Sequence, residues 1–159
     1  LLLFIVRSVL QWRNTGSAGF NGFSGRAGSL EWFAGVCATA GLLLAPAAAI
    51  AAMLHWPAGE LLFSHAPTQY FGVMLAIVGI IGALFAQLNM GSSWRIGVNP
   101  QERTELITSG LYRWMRNPIF TFIGLSMTGF ALIVPNLPAM LALALGIIGI
   151  QLQVRYVNR

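Results

Sequence analysis

"PIFTFIGLSMTGFALIVPNLPAMLALALGIIGIQLQV", residues 118–154, contains no charged side chain and no histidine. Two apolar runs flank "PNLP" at 135–138, a tight-turn signal. Inside a bilayer no water satisfies the backbone, so an apolar run must bond its N–H and C=O groups within itself. Each run therefore reads as a helix, and the pair as a membrane hairpin. The expected helices are Pro118–Val134 and Ala139–Val154, both near the lower limit of about 17 residues for a span.

Working outward, the same signature recurs. Tyr70–Asn89 is a clear apolar span in which Gly72, Gly79 and Gly82 offer close helix approach. Leu30–Leu54 is another, about 37 Å long at about 1.5 Å per residue, with Pro46 expected to kink it. Leu1–Trp12 reads as the end of a truncated span or an interfacial helix. The expected fold is an all-α integral membrane helical bundle with four clear spans, and five if a truncated N-terminal helix is counted. Residues 1–159 read as a single domain.

Composition agrees. The chain has 159 residues, 57% hydrophobic and 8% charged, with a mean hydropathy of +0.73. A soluble domain carries about 25% charged residues, so this chain lacks the polar groups to cover its own surface. The net charge of +5 comes from nine arginines without any lysine, which in so apolar a chain points to membrane orientation rather than nucleic acid.

The charges also set the topology. Arg13 and Arg26 lie in the Gly-rich loop at 13–29; Arg95, Arg103, Arg113 and Arg116 in the long polar segment at 90–117; Arg155 and Arg159 at the C-terminal end. The connections at 55–69 and 135–138 carry no arginine. Alternating spans put the first three regions on one side, which the positive-inside rule makes cytosolic.

Several chemistries are disfavoured. Cys37, the single cysteine, excludes a disulfide or Cys-based metal site within one chain and reads as a packing residue. Glu31, Glu60, Glu102 and Glu105 are the acids, and none lies mid-span, against a proton-coupled carrier. His55 and His65 with Glu60 fall short of the ligand set a closed metal site needs, so no metal is expected.

What remains is "TSGLYRWMRNPIF" at 108–120. Asn117 precedes proline and is pushed toward extended backbone. Pro118 suits the first helical position and Asn117 the N-cap. Free N–H groups there, with Arg113 and Arg116, make an anion-friendly pocket at the membrane surface. Thr108–Gly110 supply a tight turn, and Tyr112 and Trp114 aromatic surface for stacking. Interfacial aromatics and arginines also suit any helix boundary; the order of residues is what a boundary does not require.

That order resembles the core motif of the isoprenylcysteine carboxyl methyltransferase and phospholipid methyltransferase superfamily. Its pattern is Leu-Val-Thr-x-Gly-x-Tyr, three variable residues, then Arg-His-Pro-x-Tyr at the start of a membrane helix. Leu106, Ile107, Thr108, Gly110, Tyr112, Arg116, Asn117, Pro118 and Phe120 match it. "GSSWRIGVNPQERTELITSG" at 91–110 and "QVR" at 153–155 are similar to bacterial members. The resemblance covers 86–159, with weaker support from "NTGSAGF" and "LEWFAG".

The resemblance implies a multi-span enzyme of the cytoplasmic membrane that uses S-adenosyl-L-methionine in a cytosol-facing pocket between the motif and the last two helices, with 90–159 as its cofactor-binding core. By position, Thr104, Glu105, Leu106, Ile107, Gly110, Tyr112, Arg116, Asn117, Pro118, Ile119 and Phe120 would bind the cofactor, and Arg155 would face the acceptor. Asn117 stands where the family has histidine, and Asn158 and Arg159 where it has a glutamate pair. Either the chain is truncated there or the cofactor is held differently.

A carboxylate acceptor is already nucleophilic and needs only a cation to draw it into an apolar pocket; Arg155 or Arg95 suits that role. An amine acceptor needs a proton acceptor, and near the motif only Glu102 and Glu105 qualify. The expected partners are therefore a lipid-like carboxylate and membrane lipids, without nucleic acid. N-methylation of a phospholipid amine, a membrane reductase and a non-catalytic membrane binding protein are the alternatives.

Overall fold

The computed structural model of the protein describes residue 9 and residues 12–13, 26–90, 110–115 and 117–157. Ser29 opens the first helix, α1, Leu30–Met53: its hydroxyl accepts the Trp32 N–H at 3.2 Å, and Glu31 sits in the first turn, where the helix dipole favours an anion. The helix runs on through Pro46. Next comes a 3-10 turn, Pro57–Gly59, and then α2, Ala66–Asn89. Helix α3, Pro118–Ile133, follows a second 3-10 turn, Gly110–Arg113, and α4 spans Leu137–Leu152. A π-helical turn, Gln153–Val157, continues α4.

The boundaries depart from expectation for identifiable reasons. Helix α2 starts four residues before Tyr70 because Pro67 lies in the first turn, where its missing N–H costs nothing. Only Val134–Asn136 form the hairpin turn: Asn136 caps α4, and Leu137 and Pro138 are already helical. Three stretches, Leu30–Met53, Ala66–Asn89 and Leu137–Tyr156, are long and apolar enough to cross a bilayer. Helix α3 has 16 residues and reaches about 24 Å, short of a hydrocarbon core of about 30 Å. The expected four spans are therefore three plus a shorter apolar helix. The N-terminal fifth falls on Leu1–Trp12, mostly outside the described residues.

The core is built from small side chains. Ala34, Cys37, Ala48, Ala51, Ala83, Ala86, Ala131, Ala139 and Ala142 are buried, whereas Ile77, Ile81 and Phe85 are 52%, 57% and 61% exposed. A protein in water would invert that pattern. In lipid, large apolar groups gain nothing by facing inward, and small ones let backbones approach. Helix α2 meets α3 this way: a Cβ on Gly72 would lie 2.7 Å from the Gly129 carbonyl oxygen, and one on Gly79 2.5 Å from the Ser126 nitrogen. Helices α1 and α4 meet at Gly41, where a Cβ would lie 2.7 Å from the Ala142 oxygen. Two tight antiparallel pairs result, joined by the less extensive contact of α3 with α4.

Hydrogen bonds close the end of the bundle that holds both short connections. The Leu62 N–H donates to the Pro135 oxygen at 2.6 Å, and Gln69 Nε2 to the Ile133 oxygen at 3.3 Å. Asn136 is fully buried there: its Nδ2 donates to the carbonyls of Ala48 at 2.9 Å and Gly59 at 3.5 Å, while its Oδ1 accepts the Ala139 N–H at 2.9 Å. Arg26, Arg113 and Arg155 lie at the opposite end, as helix alternation requires.

A candidate active-site groove between α3 and α4

The motif enters α3 through Asn117, whose φ of −138° and ψ of 69° place it outside the helix. Its backbone oxygen accepts both the Thr121 N–H and the Thr121 hydroxyl, each at 3.1 Å. Thr121 is thus the first residue bonded into the helical ladder, and the N–H groups of Ile119 and Phe120 precede it. Asn117 occupies the N-cap position as expected, but its side chain makes no cap bond.

Beside it, α3 and α4 diverge from their shared turn and enclose a groove of about 420 Å³, within the range of about 300–1,000 Å³ usual for small-molecule sites. Asn117, Thr121 and Gln151 supply its polar groups; Met115, Phe120, Gly124, Ile147, Ile150 and Val154 line the rest. Because the hairpin is antiparallel, residues equidistant from the turn face each other. Asn117 lies level with Val154, Thr121 with Gln151, and Gly124 with Ile147. Polar groups occupy the end with the helix start, and the far end is apolar.

The remaining motif residues are placed elsewhere. Gly110 has a φ of +62°, a left-handed value that favours glycine, and a Cβ there would lie 2.8 Å from Asn89 Nδ2. The tight turn expected at Thr108–Gly110 falls mostly outside the described residues; from Gly110 onward the chain forms the 3-10 turn that packs on the end of α2. Two residues on, the half-buried Tyr112 hydroxyl donates to the Ala86 carbonyl at 3.4 Å. This phenol anchors the turn to α2, whereas the 83% exposed Trp114 faces outward. Pro118 is buried at the first helical position and Ile119 is half-buried. Arg155 is exposed on the π-helical turn, next to Val154 but not among the lining residues. Arg95, Thr104, Glu105, Leu106, Ile107 and Arg116 lie outside the described residues, as do Asn158 and Arg159.

Thr121, Gly124, Ile147 and Gln151 escaped sequence reading. Polar residues at 121 and 151 inside apolar runs were the available signal, since each is costly against lipid and easier to place in a groove. Gln87, fully enclosed near the end of α2, is a further cost: neither amide atom finds a partner among the described residues.

Burial pushes the Tyr112 phenol from 10.0 up to about 12, because a buried site disfavours the phenolate. Tyr112 therefore stays protonated at neutral pH and serves as a hydrogen-bond donor, not a base. The raised value favours the fold fully below pH 10.0, and that contribution is lost as the pH climbs through about 12. Ultraviolet titration should show a tyrosinate midpoint near 12 that disappears in Tyr112→Phe.

The phospholipid methyltransferase family model matches residues 67–158, from the first turn of α2 through the π-helical turn. This chain belongs to the phospholipid methyltransferase family. Membership makes it a membrane methyltransferase by family, and such enzymes generally use S-adenosylmethionine. No curated protein and no solved structure matches the chain.

The groove suits that cofactor on its own chemistry. The Asn117 amide, which makes no cap bond, and the N–H groups at the start of α3 offer donors to a carboxylate or sugar hydroxyl. Phe120 offers an aromatic face to a sulfonium cation. In this phospholipid methyltransferase family member the α1–α4 pair lies half outside the match, yet it holds one groove wall through Gly41 and Gly149.

Proposed function

We propose that the chain transfers a methyl group from S-adenosylmethionine to the carboxylate of a lipid-like acceptor in the α3–α4 groove, at the arginine-bearing, cytosolic face of a cell membrane. The observation that carries this reading is the groove itself, polar beside Asn117 and apolar toward Gly124 and Ile147. An amphiphile fits such a gradient: its head lies at the membrane surface and its tail between the helices.

When bound, S-adenosylmethionine supplies an electrophilic methyl group on sulfur. Asn117 and the N–H groups of Ile119 and Phe120 would hold its polar end, with residues 104–107, Gly110, Tyr112, Arg116 and Pro118 forming and bracing the wall. Met115, Phe120 and Ile150 exclude water, so positioning supplies much of the acceleration. Among the described residues, no acid and no histidine lines the groove, and Tyr112 stays protonated. A carboxylate needs none of these to attack, whereas a protonated amine must first lose a proton. Arg155, or Arg95, would bring in the carboxylate by a bidentate contact.

The family description favours a second acceptor, the amine of a phospholipid such as phosphatidylethanolamine. Purified protein in vesicles should be given methyl-labelled S-adenosylmethionine with either palmitic acid, an S-alkylated cysteine, or phosphatidylethanolamine. Label released by mild base as methanol marks an ester and is the expected result. Base-stable label on phosphatidylethanolamine would replace the carboxylate reading with the amine one. No transfer to any of the three, together with no saturable binding of S-adenosylhomocysteine, would sink the catalytic reading.

A further inference from the structure

Glycines in this bundle sit where helices touch. A Cβ at Gly41, Gly72, Gly79, Gly129 or Gly149 would fall within 3 Å of backbone on a neighbouring helix, so each has a packing reason. Gly124 has none: among the described residues, nothing lies within 4 Å of where its Cβ would be. A helix-interior glycine without such a reason only weakens the helix relative to alanine. Its position is also specific. Gly124 lines the groove opposite Ile147, about 10 Å along α3 from Asn117. Just beyond, the Met127 side chain occupies the place a Cβ on Gly146 would take.

The groove thus has a polar end at Asn117, Thr121 and Gln151, an apolar end at Ile147 and Gly124, and a missing side chain at the apolar end. We infer that Gly124 is a specificity-determining position: the space beside its Cα receives the head-proximal hydrocarbon of the acceptor, and a side chain there would exclude it. The occupant is a hydrocarbon chain because both facing helices are apolar at this depth and offer no polar partner below Thr121 and Gln151 among the lining residues. That the chain belongs to the methyl acceptor rests on the reading under Proposed function; that a chain binds there does not.

The test uses photolabelling, which needs no methyl donor. The protein is placed in phosphatidylcholine nanodiscs containing a palmitic acid with a mid-chain diazirine, irradiated, and mapped by peptide mass spectrometry. Labelling around Phe120–Gly124 and Ile147–Gln151 is expected to exceed that on the outward face of α2 at Ile77 and Ile81. Gly124→Leu should cut groove labelling roughly tenfold, because leucine fills the volume of several methylenes. Gly124→Ala should cut it less and unfold no earlier than the unaltered protein, and α2 labelling should not change. Should Gly124→Leu fail to fold, Ile147→Phe narrows the groove from the other wall and Ile147→Ala widens it, with opposite effects expected.

Groove labelling no higher than on α2, or unchanged by these substitutions, means bulk lipid only and overturns the proposal. Methyl transfer without groove labelling would overturn it as well and leave the catalytic reading standing. Groove labelling in a protein that transfers no methyl group would keep the chain site and overturn its assignment to a methyl acceptor.

Discussion

Asn117→Leu is expected to weaken S-adenosylhomocysteine binding by roughly tenfold to a hundredfold, the loss of one or two hydrogen bonds to a polar ligand. Thermal stability should barely change. The two outcomes are linked by one observation: the Asn117 side chain makes no cap bond, and its backbone oxygen alone receives Thr121. Leucine keeps the size and the extended backbone that a residue before proline adopts. It removes only the amide. Calorimetric titration measures the affinity, and thermal unfolding in the same detergent measures the stability. If affinity holds while stability falls by about 1 kcal/mol, the ordinary cost of losing an N-cap, then Asn117 is a helix boundary and the groove has another ligand.

The largest effect on stability is expected at the other end of the bundle. Asn136→Leu should destabilise the protein by about 2–4 kcal/mol, because it strips partners from buried backbone groups rather than removing a balanced pair. The Ala139 N–H loses its acceptor, and the carbonyls of Ala48 and Gly59 lose a shared donor. Those groups belong to α1, to the 3-10 turn after it, and to α4, so one side chain ties three segments together. Asn136→Asp should be worse at neutral pH, since a carboxylate presents no donor to the two carbonyls. It should recover in part on acidification, when the protonated acid regains one. Unfolding of the three proteins across a pH series reads both effects. Equal stability of Asn136→Leu and the unaltered protein would show that these bonds exchange freely with the surroundings.

Both substitutions sit at asparagines beside prolines. "RNPIF" reads as an N-cap before a helix with early proline, whereas "PNLP" reads as a tight turn with the helix starting only at Ala139. Asn136 does cap, through the Ala139 N–H, and is sealed in the core; Asn117 does not cap and lines a groove. Local propensity sees four or five residues at a time and cannot distinguish these fates. What separates them is the neighbour brought in from far along the chain: α1 and the 3-10 turn enclose Asn136, while α3 and α4 diverge beside Asn117.

The same reasoning sorts the rest of the reading. Apolar runs without charge, and the absence of internal polar partners in lipid, made helices the available answer; 30–53, 66–89, 118–133 and 137–152 were legible within a few residues. Gly72 and Gly79 were recognisable as contact points, because close approach is what glycine does in apolar helices. The motif around Gly110, Tyr112 and Asn117 pointed to methyl transfer, and the match over 67–158 supports the family.

Which helix faces which was another matter. Nothing in the order of residues marks Gly124 as different from Gly72 or Gly129, since all three are glycines in apolar runs. Only packing shows that two of them carry a neighbouring backbone and that the third, among the described residues, has open space beside it. Periodicity alone could not tell Thr121 and Gln151 from residues tolerated near a membrane surface. The sequence therefore determined by itself that this is a helical membrane protein of a methyltransferase family, because charge, hydropathy and motif are properties of the chain. The tertiary structure decided where a ligand fits, because a groove is made of distances between segments that the chain keeps far apart.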